Sequence, residues 1–464
     1  MALGSFSLGS LIGDVWDELG TLTERALDRH LRIAVTGLRR SGKTVFITSL
    51  VHHLLDGLGL PFVSAVHDGR YLGARLLGEQ QSHAFPYRRF HAELAGDPPT
   101  WPKATDRLAT LELEIAYRTN SLVLSRVSPI QHLTVEIIDY PGEWLLDLPL
   151  LEQDFDRFSR DSLDLASTSP RNELAGPWLG RLAAVGPDGP PDEAVLAELA
   201  ELYAAYLRRC HHEVGLSVVQ PGRITNPGDL AGSPLLQFCP MPPGSSTGST
   251  LRNLAAARFE NYRENVVARF YREHFSRFDR QIVLVDLFAS LNAGPAHFAD
   301  TERALAMILE SFRYGETGWW SRLFAPRIDK LLFAASKADH VAHTQHANLK
   351  ALLERLVQGP ARRPRFSGIG IDVLALAALR STDTVKTEHH GQALSCVRGR
   401  LKDENRETVL FPGEIPPDLP EAEDWESDRF RFRDFAPRRL RPGHPNQHIR
   451  LDQAIEYLIG DKLR

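Results

Sequence analysis

The string Gly37-Leu38-Arg39-Arg40-Ser41-Gly42-Lys43-Thr44 constrains this chain more than any other feature. Its letters fit G-x-x-x-x-G-K-T, and its flanks carry equal weight. Upstream, HLRIAVTGL (30–38) reads as a buried strand, with Leu31, Ile33 and Val35 as its large apolar residues. Downstream, SGKTVFITSLVHHLL (41–55) changes to helical spacing through Val45, Phe46, Ser49, Leu50 and Leu54. A strand, a glycine-bounded loop and a helix form a cradle whose backbone N–H groups and positive helix end face an anion. Gly37 and Gly42 let the chain curl, and Arg40 and Ser41 complete the loop. Lys43 can reach β- and γ-phosphates, and the Thr44 hydroxyl can ligate Mg²⁺.

Two further strings end apolar strands. Asp139-Tyr140-Pro141-Gly142 closes HLTVEIIDYPG (132–142). An aspartate there can hold a metal-bound water, and the Gly142 N–H can bond a γ-phosphate oxygen. Alone, D-x-x-G is also what a turn after a strand looks like; behind a phosphate loop it gains meaning. Ser336-Lys337-Ala338-Asp339 follows the strand LLFAA and resembles the [N/T]KxD guanine-recognition motif, with serine in the first place. The Asp339 carboxylate can accept from the N1–H and amine edge of guanine, an edge adenine lacks, while the Lys337 stem covers the ring face.

The three strings together resemble the translation-factor-related GTPases of the P-loop class. More closely, GLRRSGKT, IDYPGEW, SKAD, ETVLFPGEIP and the terminal LDQAIEYLIGDKL are similar to the YcjX family (DUF463) of bacterial stress-associated P-loop GTPases, over almost the whole chain. The resemblance implies GTP and GDP binding with Mg²⁺, a cytoplasmic or peripheral location at the inner membrane, an association with stress response and an undefined protein effector. It also implies phosphate roles for Gly42, Lys43 and Thr44, γ-phosphate sensing by Asp139 and Gly142, and base recognition by Lys337 and Asp339. A final base-contacting loop falls at Ala378–Ser381, around Leu379 and Arg380, although ALRST matches the usual Ser-Ala-Lys poorly. The magnesium-binding switch threonine should precede the strand beginning near Leu108. Thr105 has that position, and a plain surface threonine is its other reading.

Catalysis is where the chain departs from the family pattern. The residue after D-x-x-G is Glu143, whose charge opposes a γ-phosphate unless a cation neutralises it. Arg39, inside the loop, either supplies positive charge in cis or points to solvent.

The expected fold is α/β: a three-layer P-loop NTPase core with a mostly parallel sheet, a large helical insertion and a small C-terminal β-rich appendage. A length of 464 residues allows that much. Residues 29–142 and 280–382 supply the core, 143–279 the insertion and 383–464 a β-rich extension ending in a helix. Residues 1–28 hold an amphipathic helix, packed on the core or offered to a membrane surface or partner. Within the insertion, Pro221–Thr250 reads as a long loop or mobile segment.

A net charge of −5 argues against a general nucleic-acid binder. Three scattered cysteines fit a reducing compartment rather than a disulfide framework, and no apolar run approaches the roughly 20 residues of a membrane span. His52, His53, His389 and His390 read as structural or solvated, and Trp319 and Trp320 as packing residues. Two functions fit these observations: a GTPase switch acting on a protein partner, or a nucleotide-stabilised interaction module without turnover.

Overall fold

The computed structural model describes residues 29–464 except 79–82, 104–106, 122–123, 246–247, 313–327, 362–368, 390, 405, 427–428 and 445–446. The N-terminal helix expected within 1–28, Thr105, His390 and the Trp319–Trp320 pair lie outside the described residues. The main sheet contains β1 (Arg29–Gly37), β2 (Tyr71–Leu77), β3 (Ala109–Arg118), β4 (Ile130–Asp139), β5 (Arg280–Val285), β6 (Lys330–Ala335) and β7 (Gly370–Ala375). Their spatial order is β2-β3-β4-β1-β5-β6-β7. The β4-β1-β5-β6-β7 run is parallel, and β3 and β2 are antiparallel additions at one edge.

Burial follows position in the sheet. Every residue of the central strand β5 is buried, because helices cover both faces. β3, nearer the edge, alternates instead: Leu111, Leu113, Ile115 and Tyr117 point inward between half-buried neighbours. β2 was not expected. Its YLGARLL has no buried residue and no alternation, so only its pairing with β3 identifies it as a strand.

One face of the sheet packs Leu31, Ile33, Val35, Ile282 and Leu332 against α1 (Lys43–Asp56). The opposite face, with Ala34, Ile138, Val283 and Phe333, shares one continuous core with the 142–152 stretch and the helical segment 153–279. Into this core also pack α4 (Pro295–Ser311) and α5 (His346–Ala361). Within that segment, α2 (Glu193–Arg208) begins at Asp192, whose carboxylate caps Ala194 N and Val195 N, and α3 (Leu251–Tyr262) begins at a Thr250 cap. Pro221–Thr250 is not a free loop. Phe238, Cys239 and Met241 are buried, and the Phe238 ring packs against Phe158, Phe259 and Tyr262.

A separate antiparallel sheet holds β8 (Thr382–His389), β9 (Gln392–Arg400) and β10 (Glu407–Leu410). LSCVRG and ETVLF contribute to it as the sequence suggests. RFRFRDF contributes only an isolated bridge, Leu401 to Phe435, and the third strand is instead the polar TDTVKTEH. The terminal α6 (Leu451–Ile459) returns to the main sheet, burying Leu451, Ala454, Ile455, Leu458 and Ile459 beside α1. Just beyond it, Asp461 accepts from Arg280 (2.9 Å) and Lys330 (2.8 Å), the first residues of β5 and β6.

That anchoring makes the C-terminus part of the core's stability. Leu458→Ala, at a fully buried position, should cost about 2–5 kcal/mol in urea unfolding, whereas Leu419→Ala, 43% exposed, should stay within about 0.5 kcal/mol.

Candidate nucleotide-binding site

Parallel pairing brings the three strings together. Val35 lies opposite Asp139, Gly37 opposite Leu284, and Val285 opposite Ala335, so β1, β4, β5 and β6 end nearly level. The loops that follow all emerge at the carboxyl edge of the sheet, where open α/β sheets hold ligands. Two of the three non-glycine residues with positive φ among the described residues sit in these loops, Arg40 (57°) and Lys337 (58°). Each costs about 1 kcal/mol or more, and strain of this kind collects at functional sites.

On the phosphate side, Gly42 (φ 82°) opens α1, with Phe46 N donating back to its carbonyl at 2.8 Å. Ser41 and Thr44 are buried, and Arg40 is exposed. The Lys43 ammonium lies 2.8 Å from Asp139 Oδ1 and donates to Tyr140 O at 2.6 Å. Asp139 is 1% exposed, so this ion pair is desolvated. Gly142 passes so close to the loop that a Cβ there would fall on the Gly37 carbonyl oxygen, which only glycine avoids. Tyr140, between them, is wholly buried and accepts from Gln281 at its hydroxyl. Ala109, the first residue of β3, faces Asp139.

A Thr44 hydroxyl and a buried Asp139 carboxylate at the ends of adjoining elements suit Mg²⁺, a hard cation that takes oxygen donors and keeps several waters and phosphate oxygens.

Glu143 is half-buried and meets the helical segment. Its Oε1 lies 3.0 Å from His211 Nε2. Burial alone would raise this carboxyl, but the His211 hydrogen bond and charge, helped by Lys43, hold it below the usual carboxylate range. Arg39 is half-buried, with Nη2 donating to His212 O at 2.8 Å. It therefore points at a protein turn rather than into open solvent.

In the 336–339 loop, Asp339 is buried, and its Oδ2 accepts from Ser381 N (2.7 Å) and Ser381 Oγ (2.6 Å). A carboxylate has four lone pairs, so the group is fixed in orientation and keeps acceptor capacity. The residue of the 378–381 loop that reaches Asp339 is thus Ser381. Leu379 packs with Leu94 and Leu440, and Arg380 turns to Asp383, so neither side chain adjoins that carboxylate. The Lys337 ammonium is 2.6 Å from Asp286 Oδ2 and 3.3 Å from Asp434 Oδ1. Burial opposes its charge, but these two carboxylates outweigh burial and raise its pKa.

His52 and His53 face away from the phosphate loop, buried within α1; His52 Nδ1 is 3.2 Å from His91 Nε2, and His53 Nδ1 is 3.1 Å from Leu58 O.

The sequence profile of the YcjX-like family, DUF463, matches residues 31–463. The chain belongs to that family. A relative in Escherichia coli (strain K12), named Ras-like GTPase YcjX, is 42% identical over 462 residues, 97% of this chain and 99% of the relative. One of the same name in Shewanella oneidensis is 36% identical over 475 residues, 96% of each chain. For this member of the YcjX-like family, structure adds residues that no motif signalled: His211, Asp286 and Asp434, which stand in strings with no recognisable pattern. Ser381 is the last residue of the 378–381 loop that the sequence places after β7.

The segment after D-x-x-G carries one more buried carboxylate. Asp147 accepts from Gly222 N (2.6 Å), Arg223 N (3.1 Å) and Tyr262 Oη (2.6 Å), tying 142–152 to the helical segment. Burial pushes its pKa up to about 6, against hydrogen bonds that lower it. A carboxyl raised in the folded state stabilises fully only below its unfolded pKa, and that contribution is lost as pH rises through about 6. Asp147→Asn keeps an acceptor without the charge. Relative to wild type it should therefore gain about 1.5 kcal/mol of unfolding stability between about pH 5 and pH 8. Chemical denaturation at both pH values checks this, and a stability gap that does not move with pH would refute it. Asp147→Ala, which strands the Gly222 and Arg223 N–H groups and the buried Tyr262 hydroxyl, should lose about 2 kcal/mol or more at either pH.

Proposed function

We propose that this chain is a Mg²⁺-dependent guanine-nucleotide-binding protein that hydrolyses GTP slowly and acts as a stress-associated switch on a protein partner. The observation that carries the reading is the buried Asp339 carboxylate, oriented by Ser381 and level with the phosphate loop and the D-x-x-G turn. The names of the two relatives, Ras-like GTPase YcjX, support its GTP-binding and GTPase part.

In this reading the 37–44 loop and α1 hold the phosphates through backbone N–H groups, and Lys43 exchanges its bond to Asp139 for β- and γ-phosphate oxygens. Thr44 and Asp139 would hold Mg²⁺, and the ion would supply positive charge to the β- and γ-phosphates. Asp339 accepts from guanine, with the Lys337 stem along the ring and Ser381 behind the carboxylate. Thr105 is the proposed switch threonine. In hydrolysis a water oxygen bonds to the γ-phosphorus, the bond to the β-bridging oxygen breaks with its electron pair leaving on GDP, and the water's protons stay with phosphate and solvent. Glu143 accepts a hydrogen bond from that water, and Arg39, in the 37–44 loop, adds positive charge.

A second reading, a nucleotide-stabilised interaction module without turnover, is favoured by one feature. The stretch Trp144–Leu150 after D-x-x-G is buried, which restrains a segment that switches usually need to move.

Phosphate release separates the two readings. Wild type with Mg²⁺-GTP should release phosphate above Lys43→Ala (K43A), and equal rates would leave the module reading. Base preference is a separate test. Losing two charged hydrogen bonds costs about 3 kcal/mol or more, so GDP should bind at least roughly 100-fold tighter than ADP. Asp339→Asn should weaken GDP and shift preference toward xanthosine diphosphate, whose C2 oxygen accepts from the new amide. Equal GDP and ADP affinity in wild type would refute guanine recognition while leaving the phosphate loop intact.

A further inference from the structure

Glu143 poses an electrostatic problem. A carboxylate next to the D-x-x-G turn stands beside a cradle for a highly charged phosphate chain, and like charges there weaken binding. The helical segment supplies an answer. His211 Nε2 is 3.0 Å from Glu143 Oε1, with side chains 8% and 15% exposed. His211 Nδ1 is 3.1 Å from the Leu216 carbonyl, which can only accept. A neutral imidazole has one N–H, and that one is committed to Leu216. The close Glu143 contact then needs a second proton, on Nε2 or on the carboxyl. In both arrangements the pair is neutral as a unit, where Glu143 alone would carry a full negative charge.

The surrounding turn is built to hold this geometry. Arg39 of the phosphate loop donates to the His212 carbonyl at 2.8 Å, so two phosphate-side loops dock on consecutive residues. His297 on α4 fixes the turn from behind through the Val214 carbonyl, at 3.1 Å. Gly222 lets the backbone approach so closely that any Cβ would fall on the Glu143 carbonyl.

We propose that His211 is a positioning residue of the nucleotide site: it cancels the charge of Glu143 and aims its carboxyl, so that the helical segment makes the site accept a triphosphate. The inference rests on the guanine-nucleotide reading above. It predicts discrimination at the γ-phosphate, because a lone charge at Glu143 opposes the triphosphate more than the diphosphate. A purely structural role would weaken both nucleotides alike.

Calorimetric titration of Mg²⁺-GDP and of a Mg²⁺-bound non-hydrolysable GTP analogue tests this on wild type, His211→Ala, His211→Gln and the double variant E143Q/H211A. Glutamine keeps a hydrogen-bond donor without the charge, which separates neutralisation from packing. Both single variants should bind GDP within about threefold of wild type and the analogue at least about tenfold more weakly. The double variant should bring the analogue-to-GDP ratio back to within about threefold. A ratio unchanged in the single variants, or one lowered but not restored by E143Q, would overturn the proposal. If His211→Ala does not fold, His211→Gln and the double variant decide by the same ratio. A wild-type chain that binds neither guanine nucleotide overturns both readings; one that binds both with the ratio unaffected by the variants overturns this one alone.

Discussion

The site depends on the parallel register of β4, β1, β5 and β6. A hydrogen-bonded ladder permits a strand to slip only in whole residues, and a one-residue slip would turn every buried side chain to the wrong face. Leu31, Ile33 and Val35 must meet α1 while Ala34 meets the other core, so β1 has one acceptable register. Once it is set, Gly37, Asp139, Asp286 and Ser336 end their strands or begin the loops beyond them at one edge of the sheet. Strings hundreds of residues apart in the chain then become neighbours without further instruction. The antiparallel β3 follows the same rule from the other direction, starting at Ala109 beside Asp139.

The helical segment is continuous with this arrangement in two ways. Its core is the core of one sheet face, so it is not separately hinged from the strands. It also supplies polar contacts to the stretch after D-x-x-G: Asp147 fastens that stretch to Gly222, Arg223 and Tyr262, and Arg223 lies over the Trp144 ring at 3.3 Å. A second tether runs through the buried Arg171–Asp300 pair, whose carboxylate also accepts from Ser217 N and Val218 N. Any shift of Gly142 has to pass into this network, because buried, hydrogen-bonded charged groups are expensive to separate.

The 336–339 loop is flanked by the chain's C-terminal part. Asp434 reaches the Lys337 ammonium, and Phe435 lies edge-on to His340, which stacks on Phe288. From there the chain crosses to α6 and ends in the core that α1 occupies. The termini of the described chain are thus joined across the sheet, with Arg29 donating to the Lys462 carbonyl at 3.3 Å.

The sequence by itself determined the elements whose signal is local. GLRRSGKT, IDYPG and SKAD each carry their chemistry in a few adjacent residues, and LRIAV, LTVEIID, RQIVLV and KLLFAA are apolar enough to be strands wherever they sit. Asp139 and Asp339 stand out in the sequence for that reason, and the α/β class was legible there too. Only tertiary structure decided what depends on a neighbour. β2 is a strand because β3 pairs with it, and Pro221–Thr250 is packed because Phe238 finds an aromatic cluster. RFRFRDF alternates like a strand but gains only one bridge, since β8 had taken the place beside β9. The surroundings of Glu143 were the least legible. In sequence it is a charge opposed to its expected ligand, and in three dimensions its Oε1 meets His211 Nε2 at 3.0 Å. No local pattern encodes that pairing, because a hydrogen bond between distant residues leaves no periodicity in either segment.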